Sequence, residues 1–190
     1  MENINMKKFK GVLPPLRAVA VTSSLLGLAG CAVYSDAGPS AVGVIAPTSV
    51  ATAASMSPQG SVRFQQRADG VFVTGRITGL RPNQEHGFHV HEGADCAGDA
   101  LGTKGHFNPD AAPHGKHGAA VHHAGDLPAL KADGNGVAEI KVLVKKLTVT
   151  AGPASVVGKG LIVHRDPDDY TTQPTGNAGP RPGCAVIRLE

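Results

Sequence analysis

Short stretches in which apolar and polar residues alternate recur along the chain from residue 61 to residue 190, separated by turn-forming residues. The stretches SVRFQQR and GVFVTGRITGL flank the turn signal ADG and predict a β-hairpin; further strands are predicted at HGFHVHE, VAEIKVLVKKLTV, KGLIVHR and CAVIRLE. No segment keeps a helical period of hydrophobicity over three turns. The pattern predicts one all-β domain, either a sandwich or a flattened barrel.

Two long stretches, 92–126 and 165–183, have no strand pattern. Long loops of this kind in a compact domain are usually functional or disordered. The first stretch holds five of the nine histidines, namely His106, His114, His117, His122 and His123. This concentration favours a functional loop.

Strand geometry separates the histidines of the stretch EHGFHVHEGADC, residues 85–96. Alternate residues of a strand face opposite sides, so His89 and His91 share one face, about 6–7 Å apart. His86 shares the other face with Phe88 and Val90, which point into the core. His89 and His91 are therefore candidate ligands of one metal ion, and His86 is predicted to be a hydrogen-bonded structural histidine.

The loop 92–126 ends at Asp126, and a last histidine, His164, follows the apolar run GLIV. Several imidazoles and one carboxylate, without a cysteine pair nearby, suit a borderline ion such as zinc or copper(II). A histidine-rich loop is also able to bind metal only weakly and opportunistically. For His117 and His122, weak and opportunistic metal binding remains the interpretation.

The N-terminal segment carries the formal net charge of +3, since the rest of the chain has as many acidic as basic residues. Nothing in that remainder argues for a nucleic-acid partner.

The basic start, the short apolar run and LAGC resemble a bacterial lipoprotein signal, with residues 1–30 cleaved before a lipid-modified Cys31; an ordinary signal peptide is the alternative. Residues 31–47 are predicted to be a flexible tether, and residues 48–190 the domain. Ala32 after Cys31 favours the outer membrane.

If Cys31 carries lipid, two cysteines remain, Cys96 and Cys184, and an oxidising compartment favours their pairing. They lie far apart in the sequence, so the bridge would close a long loop.

The motifs GFHVHE, GHFNP, HHAGDL, VHRDPDDY and TGNAGPR, in this order, resemble the bacterial copper–zinc superoxide dismutases over most of residues 48–190. The resemblance implies a Greek-key β-sandwich, or flattened eight-stranded barrel, with two long functional loops. It implies copper held by His89, His91, His106 and His164. It implies zinc held by His106, His114, His123 and Asp126, with His106 bridging the two ions.

The resemblance also implies roles outside the two ligand sets. Asp168 would link His89 to His114, Arg181 would attract the anionic substrate beside copper, and Thr175 would narrow the channel. Cys96 and Cys184 would form the family disulfide, which ties the metal loop to the last strand.

The implied reaction is the dismutation of superoxide to oxygen and hydrogen peroxide in the periplasm or cell envelope, by a monomer or homodimer that touches the membrane only through its lipid anchor. The alternative is a non-catalytic envelope copper- or zinc-binding protein on the same fold. The presence of His89, His91, His164 and Arg181 favours the enzyme; a purely structural sandwich would leave the metal-type side chains unexplained.

The chain departs from the family pattern in two places. The stretch DDYTTQPTGNAG has no lysine or arginine, so steering of the anion is expected from Arg181 and from lysines such as Lys104, Lys116 or Lys159. In PGCAVI, Ala185 replaces the glycine that usually follows the second cysteine.

Overall fold

The computed structural model describes residues 38–190, which contain ten strands and one short 3₁₀ helix, Leu101–Thr103. The strands are β1 (Ser40–Pro47), β2 (Gln59–Arg67), β3 (Gly70–Thr78), β4 (Glu85–His86), β5 (Phe88–His91), β6 (Leu130–Lys131), β7 (Ala138–Val144), β8 (Gly160–Val163), β9 (Gly183–Val186) and β10 (Arg188–Leu189). The all-β prediction is confirmed.

Eight of the strands form one curled sheet in the order β5-β8-β9-β1-β2-β3-β7, with β10 paired to β1. All strand pairs in it are antiparallel, and β4 and β6 pair separately. The late strand β9 lies beside β1, so strands from the two ends of the described residues are neighbours in the middle of the sheet, as in a Greek-key barrel.

The predicted hairpin is the longest regular unit of the sheet. β2 and β3 pair from Gln59↔Thr78 to Arg67↔Gly70, so the two residues between them form the turn. Val62, Phe64, Val71 and Val73 are fully buried on the inner face. Alternation of apolar and polar residues therefore sets the register here, because a slip by one residue would expose this apolar set.

The predicted tether is wrong for residues 40–47, which form β1 at the centre of the sheet. Its inner face consists of Ala41, Gly43 and Ile45, too small a set to stand out as an apolar stripe. The small size has a packing reason, since a Cβ on Gly43 would lie 3.2 Å from Leu161 Cδ2. The folded domain thus begins before Thr48; the signal peptide, Cys31 and residues 31–37 lie outside the described residues.

The outer edge of β5 is covered by the long loop 92–126, which brings its histidines to the strand that carries His89 and His91. Bridges join His91 to His106 and His89 to Asp126. The amide of Val90 donates to Gly125 O at 2.9 Å, which satisfies the backbone of an edge strand that would otherwise stay unpaired. The register of this pairing fixes four predicted ligands relative to one another.

A disulfide joins Cys96 in that loop to Cys184 on β9, as predicted, with a Cα–Cα distance of 5.7 Å. The bridge packs with Ala100 and Ile162 in a small cluster of its own. Ala185 is buried in the main core and does not belong to the cluster around the bridge. Residues 38–190 include no helix with the length and apolar character that a membrane span requires.

Candidate metal centre

The four histidines predicted for copper converge at one end of the sheet. His89 and His91 project from β5, His106 from the long loop, and His164 from the residue after β8, and all four are buried. One ring nitrogen of each lies within 4.8 Å of the others. The alternation of β5 therefore places both of its histidines in the same group, as the strand geometry predicted.

In three of these histidines, the ring nitrogen that faces away from the group has an acceptor. His89 Nε2–H donates to Asp168 Oδ2 at 2.8 Å, His91 Nδ1–H to Lys104 O at 2.8 Å, and His164 Nδ1–H to Gly179 O at 3.1 Å. These bonds fix the tautomers and leave a lone pair on each inward nitrogen. His91 Nε2 and His164 Nε2 lie 3.3 Å apart, so the lone pairs face a common point.

The second group consists of His106, His114, His123 and Asp126, with ligand atoms that also lie within 4.8 Å of one another. Oδ1 of Asp126 lies 2.8, 3.1 and 3.3 Å from Nδ1 of the three histidines in that order. Oδ2 accepts the amides of His123 at 2.8 Å and Gly115 at 3.2 Å. One carboxylate oxygen thus faces the three imidazoles, and the backbone holds the other.

His106 belongs to both groups. Its Nδ1 faces Asp126 and the second group, and its Nε2 has no hydrogen-bond partner although it is fully buried. Nδ1 of His89 is likewise buried without a partner. Buried polar atoms without partners are rare. Among residues 38–190 there are three on side chains: these two lie in the first group, where a positive ion would satisfy them, and the third is His86 Nε2.

Asp168 connects the two groups from the loop 165–183. Its Oδ2 accepts from His89, its Oδ1 accepts from His114 Nε2–H at 2.9 Å, and the amide of Tyr170 donates to Oδ1 at 2.7 Å. The link that the resemblance implied between His89 and His114 is therefore present. A single carboxylate orients one histidine of each group.

Burial and these carboxylates move the pKa values in opposite directions. Burial lowers the pKa of His89 to about 4 and the pKa values of His91 and His164 well below the usual range. Burial also opposes the charged form of His114, but hydrogen bonds to Asp126 and Asp168 raise its pKa to about 9. His89, His91 and His164 are therefore neutral imidazoles at neutral pH, which is the form that binds metal.

Arg181 and Thr175 line a cavity of about 410 Å³ that reaches the first group at His164. Arg181 Nη1 donates to Ala100 O at 3.0 Å and to Thr103 Oγ1 at 2.9 Å. Both acceptors are neutral, and no carboxylate within residues 38–190 forms a direct ion pair with Arg181. Burial lowers the pKa of Arg181 and Asp99 raises it, but a guanidinium stays charged at neutral pH.

The lysines expected to help with steering do not line this cavity. Lys159 pairs with Glu92, and Lys116 lies over the ring of Tyr170 in a different cavity. Lys104 contributes its carbonyl to His91. The charged residues that line the cavity are Arg181 and Asp99.

Two residues that the sequence did not single out complete the zinc side of the centre. The amide group of Gln173 bonds both backbone groups of His114, accepting from N at 2.8 Å and donating to O at 3.0 Å. Gly176 has a φ of 66°, and a Cβ there would overlap Asp168 Oδ1 and lie 2.6 Å from His114 Nε2. The motif TGNAG includes this glycine, so the sequence offered a signal for its role. A single glutamine in a loop offers no sequence signal for its contact with His114.

The remaining histidines lie outside both groups. His86 is buried with Nδ1 at 2.8 Å from Arg165 O, in agreement with a structural hydrogen-bonding role. His117 Nδ1–H donates to Asp126 O, and His122 Nδ1–H to His123 O. These two therefore border the second group.

The donor sets fit two different ions. Four imidazole nitrogens without sulfur suit copper(II), and three imidazoles with one carboxylate oxygen suit a tetrahedral zinc ion. The unpartnered nitrogens of His89 and His106 belong to the first set. The structure therefore offers a copper-type site and a zinc-type site that share His106.

Comparison with known proteins agrees with this geometry. The model of the copper/zinc superoxide dismutase (SODC) family matches residues 58–187. Superoxide dismutase [Cu-Zn] of Paramecium bursaria Chlorella virus 1 is 36% identical over 154 residues, covering 78% of this chain and 82% of the relative. Superoxide dismutase [Cu-Zn] 3 of Arabidopsis thaliana is 40% identical over 139 residues, covering 70% of this chain and 84% of the relative.

Two solved structures share the fold. The clock protein EA4 superimposes with a TM-score of 0.70 at 34% identity, covering 83% of this chain and 98% of that one. A double mutant of a SOD-like protein from Bacillus subtilis superimposes with a TM-score of 0.67 at 28% identity, covering 80% of this chain and 97% of that one.

Proposed function

The chain belongs to the copper/zinc superoxide dismutase family, and from this premise we propose that it removes superoxide at the cell envelope as an exported, lipid-anchored enzyme. The activity is that of a superoxide dismutase, an oxidoreductase with copper and zinc as cofactors. Two superoxide anions and two protons become one O₂ and one H₂O₂. Copper, when bound, supplies the one-electron Cu(II)/Cu(I) couple that oxidises one superoxide and reduces the other.

The observation that carries this function is the sharing of His106 by two groups of different donor type. His89, His91, His106 and His164 would hold copper, and His106, His114, His123 and Asp126 would hold zinc. A protein that only stored one kind of ion would not need a histidine whose two nitrogens face two separate sites.

His106 is also the residue suited to handle a proton. Its Nδ1 lies 2.8 Å from Asp126 Oδ1, which keeps the ring in place while Nε2 changes its protonation. Nε2 is buried and has no protein partner, so a proton taken there has no competing acceptor within the described residues. We propose that Nε2 takes up this proton and returns it to the peroxide product.

Arg181 would attract and orient the anion. Its bonds to Ala100 O and Thr103 Oγ1 fix the guanidinium without neutralising it, beside the cavity wall that contains His164. Thr175 lies on the same wall and would limit the size of what enters. The carboxylate of Asp99 lines the same cavity and repels anions, so the attraction by Arg181 has to exceed that repulsion.

Replacing Arg181 with alanine is expected to lower kcat/KM for superoxide by about tenfold, because a fixed charge at the entrance of a site raises the rate of anion arrival. Affinity for cyanide or azide should fall as well, with copper still bound. Arg181→Lys is the matched control and should retain part of the rate, since it keeps the charge and loses the planar donors. Unchanged turnover in Arg181→Ala would mean that another group guides the anion.

The location in the envelope is proposed from the N-terminal sequence. If Cys31 is lipid-modified after cleavage of residues 1–30, Cys31→Ser should move the protein from the membrane fraction to the soluble fraction. The variant should keep its full activity, because the disulfide uses Cys96 and Cys184. Retention of Cys31→Ser in the membrane fraction would contradict the lipid anchor.

The alternative function is a non-catalytic envelope copper- or zinc-binding protein. Such a protein would have no need for a guanidinium held by neutral partners at the mouth of the copper-type site. Arg181 therefore favours the enzyme, and its substrate is the small anion superoxide.

A further inference from the structure

His117 and His122 form a pair that neither metal group uses. Their ring centroids lie 5.5 Å apart at 59°. The same distance separates His91 from His164, and His106 from His123, in the two metal groups. The ring separation of His117 and His122 therefore equals that of two pairs inside the groups that could hold a metal ion.

The hydrogen bonds of the pair set the same tautomer in both rings. His117 Nδ1–H donates to Asp126 O at 2.9 Å, and His122 Nδ1–H donates to His123 O at 2.7 Å. Each Nε2 therefore carries the lone pair, and neither has a hydrogen-bond partner within residues 38–190. An imidazole that donates one N–H to a backbone carbonyl and keeps the other nitrogen free has the orientation typical of metal-ligating histidines.

The surroundings keep such a site accessible and weak. His117 lines a solvent-reaching cavity of about 180 Å³, whereas His122 is buried, so an ion would reach the pair from the side of His117. Lys146 donates to the carbonyl of His122 at 2.8 Å, which places a positive charge nearby. Two protein ligands, completed by water, give lower affinity than the four ligands of a closed structural site.

We propose that His117 and His122 form a third, exchangeable site for a borderline divalent cation such as Zn²⁺, bordering the zinc ligands. The carbonyls that orient the pair belong to Asp126 and His123, so an ion held there lies on the outer side of the zinc group. The site is separate from the superoxide chemistry, and its binding is measured independently of it.

The test uses the full chain with its copper and zinc groups loaded, titrated with Zn²⁺ in a calorimeter. One additional Zn²⁺ per chain is expected, with a dissociation constant in the micromolar range. His117→Asn and His122→Asn each remove Nε2, but the asparagine amide still donates to the carbonyl, so the loop should keep its conformation. Each variant should weaken the additional binding by about tenfold or more.

Lys116→Gln is the matched control, because it changes a charge in the same loop and removes no ligand nitrogen; its additional Zn²⁺ should bind at least as tightly as in the parent chain. In parallel, imidazole ¹⁵N spectra should show the Nε2 signals of His117 and His122 shifting together as Zn²⁺ is added. The proposal is overturned if no additional ion binds, if both asparagine variants bind it like the parent chain, or if neither Nε2 signal moves.

Discussion

Replacing Asp168 with asparagine is expected to weaken zinc binding by about 10–100-fold, the usual effect of losing a residue that orients metal ligands. Asp168 accepts from the Nε2–H groups of His89 and His114 with its two oxygens. Asparagine offers one acceptor oxygen and an NH₂ group, so one of the two imidazoles would face a donor instead of an acceptor. That ring would lose the bond that fixes its tautomer.

The measurement is competition for zinc against a chelator of known affinity. Asp169→Asn is the matched control: Asp169 accepts from the amides of Thr171 and Thr172, an asparagine oxygen still does so, and no predicted ligand contacts it. Zinc affinity in Asp169→Asn should equal that of the parent chain. Equal affinity in Asp168→Asn would show that the link between the two groups has no energetic role.

Removal of the disulfide, by Cys96→Ala together with Cys184→Ala, is expected to lower the free energy of unfolding by about 4–5 kcal/mol. The bridge spans 88 residues, and in the loop-entropy model the unfolded chain gains the freedom of that whole loop when the bridge is absent. The loop contains the predicted ligands from His106 to His164. Denaturant unfolding of the metal-free protein measures the effect without a contribution from metal binding.

The same substitution should also reduce activity, because the disulfide packs against Ala100, whose carbonyl anchors Arg181. Cys31→Ser is the control, since it removes a cysteine that takes no part in the bridge and should leave the unfolding free energy unchanged. A loss below about 1 kcal/mol in the double variant would mean that the bridge adds little beyond the core.

Prediction from the sequence was most successful where a regular backbone sets the direction of side chains. Alternation along β5 predicted that His89 and His91 share a face, and the structure places both in one group. His86, predicted on the same strand, lies on the separate strand β4, where it is hydrogen-bonded to backbone carbonyls. The hairpin β2–β3 was predicted for the same reason. The pairing of Cys96 with Cys184 was confirmed.

Prediction from the sequence failed where packing depends on small residues or on contacts between loops. β1 escaped detection because Ala41 and Gly43 occupy its inner face, and a Cβ on Gly43 would press against Leu161. Gln173 clamps the backbone of His114, 59 residues earlier in the chain, and no local pattern marks such a contact. The lysines expected to help Arg181 do not line its cavity, because loop sequence alone does not place a side chain.

The central claim is that this chain dismutates superoxide through a copper centre supported by zinc. It is tested most directly by adding copper stepwise to the zinc-loaded protein while metal content and superoxide consumption are measured in the same samples. Activity should rise in proportion to copper and stop rising at one copper per chain, and a copper chelator should abolish it. Full copper occupancy with no consumption above the uncatalysed rate would contradict the enzyme and leave a metal-binding protein in its place.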